Sequence, residues 1–357
     1  MQDAGVEIRY YNTAGIQRFF AIQHRTHRKM LIVDNITAII GGRNIGDDYF
    51  DLSHHYNFID SDIWVKGEIV HSISKSFDLY WNSEWTETPE YEDEPGNEEV
   101  LSQTEESKDA VDWLKEKGVD ESLKKLLRKR PTLTSIHTCS DIQFITDHPG
   151  SGVEKRVVYK AIVELAKEAK QRIRIESPYL VLRQDGLEDF RNLSNRGVSI
   201  NVLTNSLYST DAYYTVAALL PMLDDFQKLP ALNLYAYKGM ELKQQNGNYQ
   251  DKAISSTHWG VHAKRAIIDD QILVVGTYNI DPRSANLNSE LILVCRGNTD
   301  LVGEAISSFE LRKNGAQLIT GTPNPTGKQG LLAGAEKEKI WKTYGIMPFA
   351  RWFGFLL

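Results

Sequence analysis

Two hydrophobic periodicities run along the chain, and their order defines its layout. In the first part, residues 6–10 alternate apolar and polar as a short strand does. Residues 30–33 and 38–40 are apolar runs on either side of Asp34-Asn35, which predicts a hairpin with His27 and Lys29 on its first strand. Residues 58–67 return to strand character, and 66–85 carry apolar positions at helical spacing. From residue 135 onward strands and helices alternate. Strands are expected at 142–145, 173–175, 198–203 and 232–237, and helices at 153–170, 187–195 and 211–223; a second hairpin follows around His262. Alternation of this kind predicts an α/β sandwich with largely parallel sheets.

Between these parts the pattern breaks. Residues 87–108 are acidic and poor in aliphatic side chains, and 109–117 and 121–129 read as two short surface helices. The organisation expected is therefore residues 1–86, a linker or insertion at 87–134, a second unit at 135–320 and a tail at 321–357. The two units are unequal. In the second, 120 residues separate its first strand from His262, whereas only 26 precede His27 in the first. The first unit is expected to lack its opening strands and helices.

The units share a pattern that hydrophobicity alone does not explain. His27, Lys29, Asp34, Gly41 and Asn44 recur at identical offsets as His262, Lys264, Asp269, Gly276 and Asn279. One His-Lys-Asp triple at this spacing arises by chance on the order of once in 10⁴ positions, so the chain contains an internal repeat. Two imidazoles facing each other can divide nucleophilic attack and proton transfer at a phosphorus centre. Two lysines and two asparagines supply donors for the charge that builds on its oxygens. Each histidine needs a carboxylate on its other ring nitrogen, and Asp62 and Glu290, downstream of the two motifs, are the expected anchors. Asp34 and Asp269 end their strands and suit the hairpin turns better than the chemistry.

Composition narrows the picture. The chain has 357 residues, 41% of them hydrophobic and 25% charged, as in a globular protein with a full core. A net charge of −7 argues against wrapping a nucleic-acid backbone. Neither HExxH nor CxxC occurs and lysine is a poor metal ligand, so a metal-free site without cofactor is expected. Cys139 and Cys295 show no disulfide or metal spacing and are expected as two buried thiols in a reducing compartment. No apolar run is long enough for a membrane span, and the first residues lack a signal-peptide core, which suggests a cytoplasmic setting.

With GGRNIGDDYF at 41–50, SPYLV at 177–181, LTNSLYSTD at 203–211 and GTYNIDPRSANLNSE at 276–290, the repeated HxKxxxxD motif resembles the phospholipase D superfamily. In particular it is similar to bacterial cardiolipin synthases of the branch without N-terminal transmembrane helices. The resemblance implies a phosphatidyltransferase that forms a phosphohistidine intermediate, with His27 as nucleophile and His262 as acid and then base. It further implies Lys29, Lys264, Asn44 and Asn279 on the phosphate, with Ser177, Tyr179, Asn205 and Asp211 near the cleft. Phospholipid substrates follow, phosphatidylglycerol and possibly phosphatidylethanolamine, together with peripheral contact at the inner membrane and no nucleic acid. The tail, IWKTYGIMPFARWFGFLL, mixes aromatic and basic residues as interfacial segments do, and as packed terminal helices also do. Two other readings stay open. One is a hydrolytic phospholipase D or other phosphodiesterase, a nuclease being disfavoured by charge. The other is an inactive, truncated member dependent on a partner protein.

Overall fold

The computed structural model describes residues 6–13, 21–88, 135–239 and 257–350. The helices expected at 109–117 and 121–129 fall outside them, as does the last part of the tail. Contacts divide the chain into two units, one of residues 1–8 and 88–138, the other of residues 9–87 and 139–357. In the first unit the described residues form no regular element. The second holds both repeats.

The first repeat contributes β1 (Tyr10–Tyr11), β2 (Met30–Val33), β3 (Thr37–Gly41), β4 (Tyr56–Ile59), β5 (Asp62–Lys66), α1 (Ile69–Trp81) and β6 (Thr86–Glu87). The second repeat begins with β7 (Asp141–Thr146), α2 (Val157–Glu168), β8 (Arg172–Glu176), α3 (Gln184–Asn195) and β9 (Ser199–Asn205). It continues with α4 (Tyr213–Leu219), α5 (Leu223–Phe226), β10 (Leu232–Tyr237), β11 (His258–Val261), β12 (Arg265–Ile268) and β13 (Ile272–Gly276). It closes with α6 (Pro282–Asn286), β14 (Leu291–Arg296), α7 (Thr299–Asn314), β15 (Ala316–Thr320), α8 (Gly327–Leu332) and α9 (Lys337–Ala350). The helix expected at 211–223 stops at Leu219 because Pro221 cannot supply the next backbone donor.

Eight strands form one sheet in the order β15-β10-β9-β8-β12-β13-β14-β7. The parallel order expected of strand–helix units holds for β8, β9 and β10, while the hairpin strands, β7 and β15 join antiparallel, so the sheet is mixed. The hairpin is the reason: a tight turn reverses the chain, whereas a parallel neighbour needs a crossover helix. A large core packs one face of this sheet against helices, with Ile200, Val202 and Phe226 fully buried. Cys139 and Cys295, 156 residues apart, are joined as a disulfide with Cα atoms 5.8 Å apart, not left as two thiols. Pairing of β7 with β14 sets Ile142 opposite Cys295 and carries Cys139 alongside, a proximity no local spacing reveals. The cysteine count therefore no longer argues for a reducing compartment.

Within the first repeat the described strands form the small antiparallel pair β1-β6 and the three-stranded sheet β2-β3-β5. Its inner face, Ala38, Ile40 and Val65, packs with Ile73 of α1 on Leu291 and Leu293 of β14, joining the repeats through a shared core. Its outer face exposes Leu31, Val33, Ile39 and Trp64. By pairing register, the row Leu31–Ile39–Trp64 matches Ala266–Val274–Val294 in the second repeat, where helices cover it. Among the described residues no counterpart of that helical layer lies on the first repeat.

The repeated glycines mark where a third strand crosses closely. A Cβ at Gly276 would lie 2.8 Å from Ile292 Cα, and one at Gly41 2.7 Å from Asp62 Cα. Backbone cannot yield as a flexible side chain can. Gly276→Ala is expected to cost about 2–4 kcal/mol of unfolding free energy, read from the midpoint of urea denaturation. An unchanged midpoint would refute the close-approach explanation.

Candidate active site

The two hairpins are built alike. In each, two turn residues take left-handed backbone, Asp34-Asn35 (φ 53° and 55°) and Asp269-Asp270 (49° and 58°). Such turns match the strand twist and favour Asp and Asn. Asp269 also accepts hydrogen bonds from the backbone N–H groups of Lys170 (2.7 Å), Gln171 and Arg172 (both 2.8 Å). At about 3.3 Å per extended residue, these aspartates stand on the order of 20 Å along the chain from their histidines. Asp269 thus braces the scaffold, and Asp34 and Asp269 both stand in the hairpin turns, away from their histidines.

Histidine and lysine stand two residues apart on extended chain and so project to one side. Each motif is then clamped by the other repeat. Thr26 bridges Ser289, and His27 N–H donates to Ser289 O at 3.0 Å. Reciprocally, β11 pairs parallel with β4, and His262 N–H donates to Ile59 O at 2.7 Å. The residues following Ser289 and Ile59 are Glu290 and Asp60. Glu290 takes His27 Nδ1 at 2.9 Å, and Asp60 takes His262 Nδ1 at 2.7 Å. Both carboxylate side chains are fully buried.

The anchor of His262 is therefore Asp60, and the expectation of Asp62 is corrected. Asp62 lies two residues on, at the start of β5, and holds Arg43 Nε at 2.5 Å. Register explains the error. Gly41 pairs with Asp62 and Gly276 with Ile292, so Glu290 corresponds to residue 60. Asp60-Ser61 interrupts what hydrophobicity reads as one strand. Matching the apolar runs Ile63-Trp64-Val65 and Leu293-Val294-Cys295 would have located it.

Lysines complete the cluster. Lys29 Nζ donates to His27 O at 2.8 Å and Lys264 Nζ to His262 O at 2.6 Å, leaving further protons free to aim inward. Lys264 Nζ also sits 3.0 Å from His262 Nε2, whereas His27 Nε2 has no protein hydrogen-bond partner among the described residues. The His27 side chain is 24% exposed and that of His262 6%, with Tyr49 and Phe58 rings 5.0 Å from the His262 ring. Asn44 bonds Tyr49. Asn279 is buried, and its side-chain oxygen accepts no bond among the described residues.

Burial dominates the electrostatics. It pulls Lys264 down to about 7 and Lys29 to about 8, against the opposing pull of Asp60 and Glu290. Burial, then the Lys264 charge, lowers His262 to about 3, so that ring is neutral and donates Nδ1–H to Asp60. Burial alone would raise Asp60 and Glu290, but their histidine and lysine partners outweigh it and both stay ionised. The motifs feel each other, since Lys29 lowers Lys264 and His27 lowers His262.

Sequence reasoning did not find several supporting residues. Thr277 Oγ1 donates to Glu290 at 2.5 Å, and Asp147 accepts the Glu290 N–H at 2.8 Å and that of Val158 at 2.9 Å. Buried Glu176 pairs with Arg265 and Arg312, fixing the start of β12 next to Lys264. Of the other cleft residues, Tyr179 donates to Asp211 at 3.2 Å, Ser177 Oγ accepts the Ile280 N–H at 3.1 Å, and Asn205 braces Val261 just before His262.

Two half-sites, each a histidine with a buried carboxylate and a lysine, meeting between repeated α/β units, define a phospholipase D-type enzyme fold. The family described as the phospholipase D-like domain of cardiolipin synthase matches residues 1–81 and 162–312, and the chain belongs to it. Cardiolipin synthase C of Escherichia coli K12 is 27% identical over 299 residues, covering 80% of this chain and 61% of that protein. An uncharacterized Helicobacter pylori J99 protein is 30% identical over 280 residues, covering 75% and 53%. The chain thus spans little more than half the length of these relatives. In fold, a phosphatidylserine synthase from Haemophilus influenzae Rd KW20 aligns with a TM-score of 0.61 at 12% identity, over 93% of this chain and 71% of that one.

The depressed lysines make a prediction with a definite sign. Below pH 10.5 the unfolded chain protonates Lys264, while the folded chain does so only near pH 7. Stability from this group is present above pH 10.5 and lost as pH falls toward 7. Lys264→Met should flatten that part of the stability–pH curve relative to wild type, measured by urea denaturation across pH 7–10. Parallel curves would refute the burial of a charged Lys264.

Proposed function

We propose that the chain is the catalytic part of a cardiolipin synthase-type phosphatidyltransferase acting on phospholipid through a phosphohistidine. The observation that carries it is the crossed pairing, which anchors both Nδ1 atoms on buried carboxylates and brings the motifs near enough for Lys29 to act on Lys264 and His27 on His262. Such a centre stabilises a phosphodiester in transit by positioned charge. His27, the more open ring with its Nε2 free, attacks phosphorus and displaces the donor alcohol. His262 protonates that leaving oxygen. Burial and then the Lys264 charge hold His262 neutral; an anionic phosphodiester between Lys29 and Lys264 offsets the charge part of that depression and so moves the ring toward protonation as substrate binds. An acceptor hydroxyl then gives its proton to His262, attacks the phosphohistidine and frees His27. A glycerol hydroxyl of phosphatidylglycerol gives cardiolipin; water gives phosphatidic acid. The E. coli relative's name, a cardiolipin synthase, supports the former; phosphatidylglycerol as substrate, phosphatidylethanolamine as a further donor and peripheral membrane contact are part of the same proposal. No described helix is long and apolar enough to cross a membrane.

The test is product analysis with phosphatidylglycerol, with and without phosphatidylethanolamine. Cardiolipin is expected, and its absence from every mixture would sink the proposal; phosphatidic acid alone would favour the hydrolase. His27→Ala and His262→Ala should each lower the rate by about 10³-fold or more, and Asp60→Asn by about 10²–10⁴. Asp62→Asn should change it far less. If Asp60→Asn retains full rate, the crossed pair is not part of the chemistry. The basic limb of kcat/KM should fall near pH 7–8, where the lysines lose protons, and move upward in Lys264→Arg.

A further inference from the structure

We propose that Tyr179 and Asp211 form the subsite for the hydroxyls of the exchanging alcohol, and that they select a vicinal diol such as a glycerol headgroup. The inference rests on the phosphatidyltransfer reading above and names how that site chooses its alcohol.

Ligands bind beyond the carboxyl ends of parallel strands, and these two residues stand there, on the loops after β8 and β9. Asn205, the last residue of β9, ties both loops to the second motif. Its Nδ2 donates to Val261 O at 2.7 Å and to Pro178 O at 3.3 Å, the carbonyls immediately before His262 and Tyr179. Tyr179 is clamped on the other side as well. Ser177 Oγ donates to Tyr179 O at 2.6 Å, Leu180 bridges Ile280, and the Val181 N–H donates to Ile280 O at 2.9 Å. Tyr179 is therefore tied through Asn205 to the chain entering His262, and directly to the chain leaving Asn279. The turn carrying Asp211 is equally fixed. Ser209 O accepts from Tyr56 of the first repeat at 2.5 Å, and Ser209 Oγ donates to Tyr237 O at 2.8 Å.

This is the His262 side of the centre. With His27 attacking phosphorus, the leaving and the incoming alcohol both pass on the opposite side, where His262 gives or takes their proton. The P–O bond to the incoming alcohol forms as the P–N bond to His27 breaks, and the alcohol's proton goes to His262. Asp211 is exposed there, and a carboxylate beside an anionic substrate is useful only to hydrogen-bond donors. It does not cap α4, whose N-cap is Ala212 with no side-chain bond. Tyr179 Oη donates to it at 3.2 Å, which commits the phenol's proton and leaves both groups as acceptors toward a ligand. Two adjacent acceptors match two adjacent hydroxyls. The charges around Asp211 are Asp48, Asp281, Arg283, Glu336 and Lys339, whose Nζ donates to Thr210 O at 2.6 Å. They are mixed in sign, so the specific feature is the acceptor pair, which suits a neutral diol.

Base exchange on water-soluble dihexanoyl phosphatidylglycerol tests this, with labelled glycerol and labelled 1-propanol offered in equal amounts. Wild type is expected to incorporate glycerol about tenfold or more over 1-propanol. Asp211→Asn and Tyr179→Phe should each cut that preference about fivefold or more, and Asp211→Asn should melt with wild type because the position is exposed. No preference in wild type, or a preference kept by both variants, overturns the proposal. So does an equal loss in Asp48→Asn, which would mark a general charge effect. Loss of labelled ethanolamine rather than glycerol in Asp211→Asn also overturns it, marking an ammonium site. Calorimetry on His27→Ala reads the subsite apart from the chemistry. Glycerol phosphate should bind tighter than propyl phosphate, by a margin that adding Asp211→Asn removes; equal binding of the two overturns the proposal. That margin in a protein whose wild type shows no turnover sinks the catalytic reading alone. Turnover with equal use of both alcohols sinks the subsite alone.

Discussion

The exchange of carboxylates between repeats is the constraint on which the site depends. His27 is oriented by Glu290 of the second repeat, and His262 by Asp60 of the first. Neither motif can be formed by its own repeat. The exchange is made in backbone first, by parallel bridges that set Thr26 beside Ser289 and β11 beside β4, and the anchors are simply the next residues along. Folding the two repeats together and assembling the active centre are therefore one event. Loss of either bridge would leave a buried carboxylate without its histidine partner, a costly state in a low-dielectric interior.

The same arrangement concentrates charge that burial opposes. Two lysines, two histidines and two carboxylates share a space mostly closed to water, and Lys264 is held near 7 as a result. Such groups are retained at the expense of stability when an anion is to be stabilised there. The surroundings supply the rigidity. Glycines let a third strand cross closely, Glu176 neutralises two arginines beside Lys264, and Asp147 ties the N-terminus of α2 to the backbone of Glu290.

Much of this was legible in the residues. Periodicity and short apolar runs located most strands and helices of the second repeat, because its helices bury one face and its central strands both. The duplicated offsets identified the two histidines and lysines, because a repeat preserves spacing where geometry is shared. Glu290 could be chosen because it directly precedes an apolar run. Asp60 is masked by a second aspartate two residues later, with the same alternation and nearer the strand, and only alignment of residues 63–65 with 293–295 separates the two.

By itself, then, the sequence determined the repeat, the α/β class and the residue types gathered for phosphodiester chemistry, all of which are local or periodic properties. Tertiary structure alone decided which carboxylate serves which histidine, that Cys139 meets Cys295, and that the sheet is mixed. Each of these depends on which strands lie side by side, and register between segments some 200 residues apart is set by packing of the assembled core, not by the order of residues along either segment.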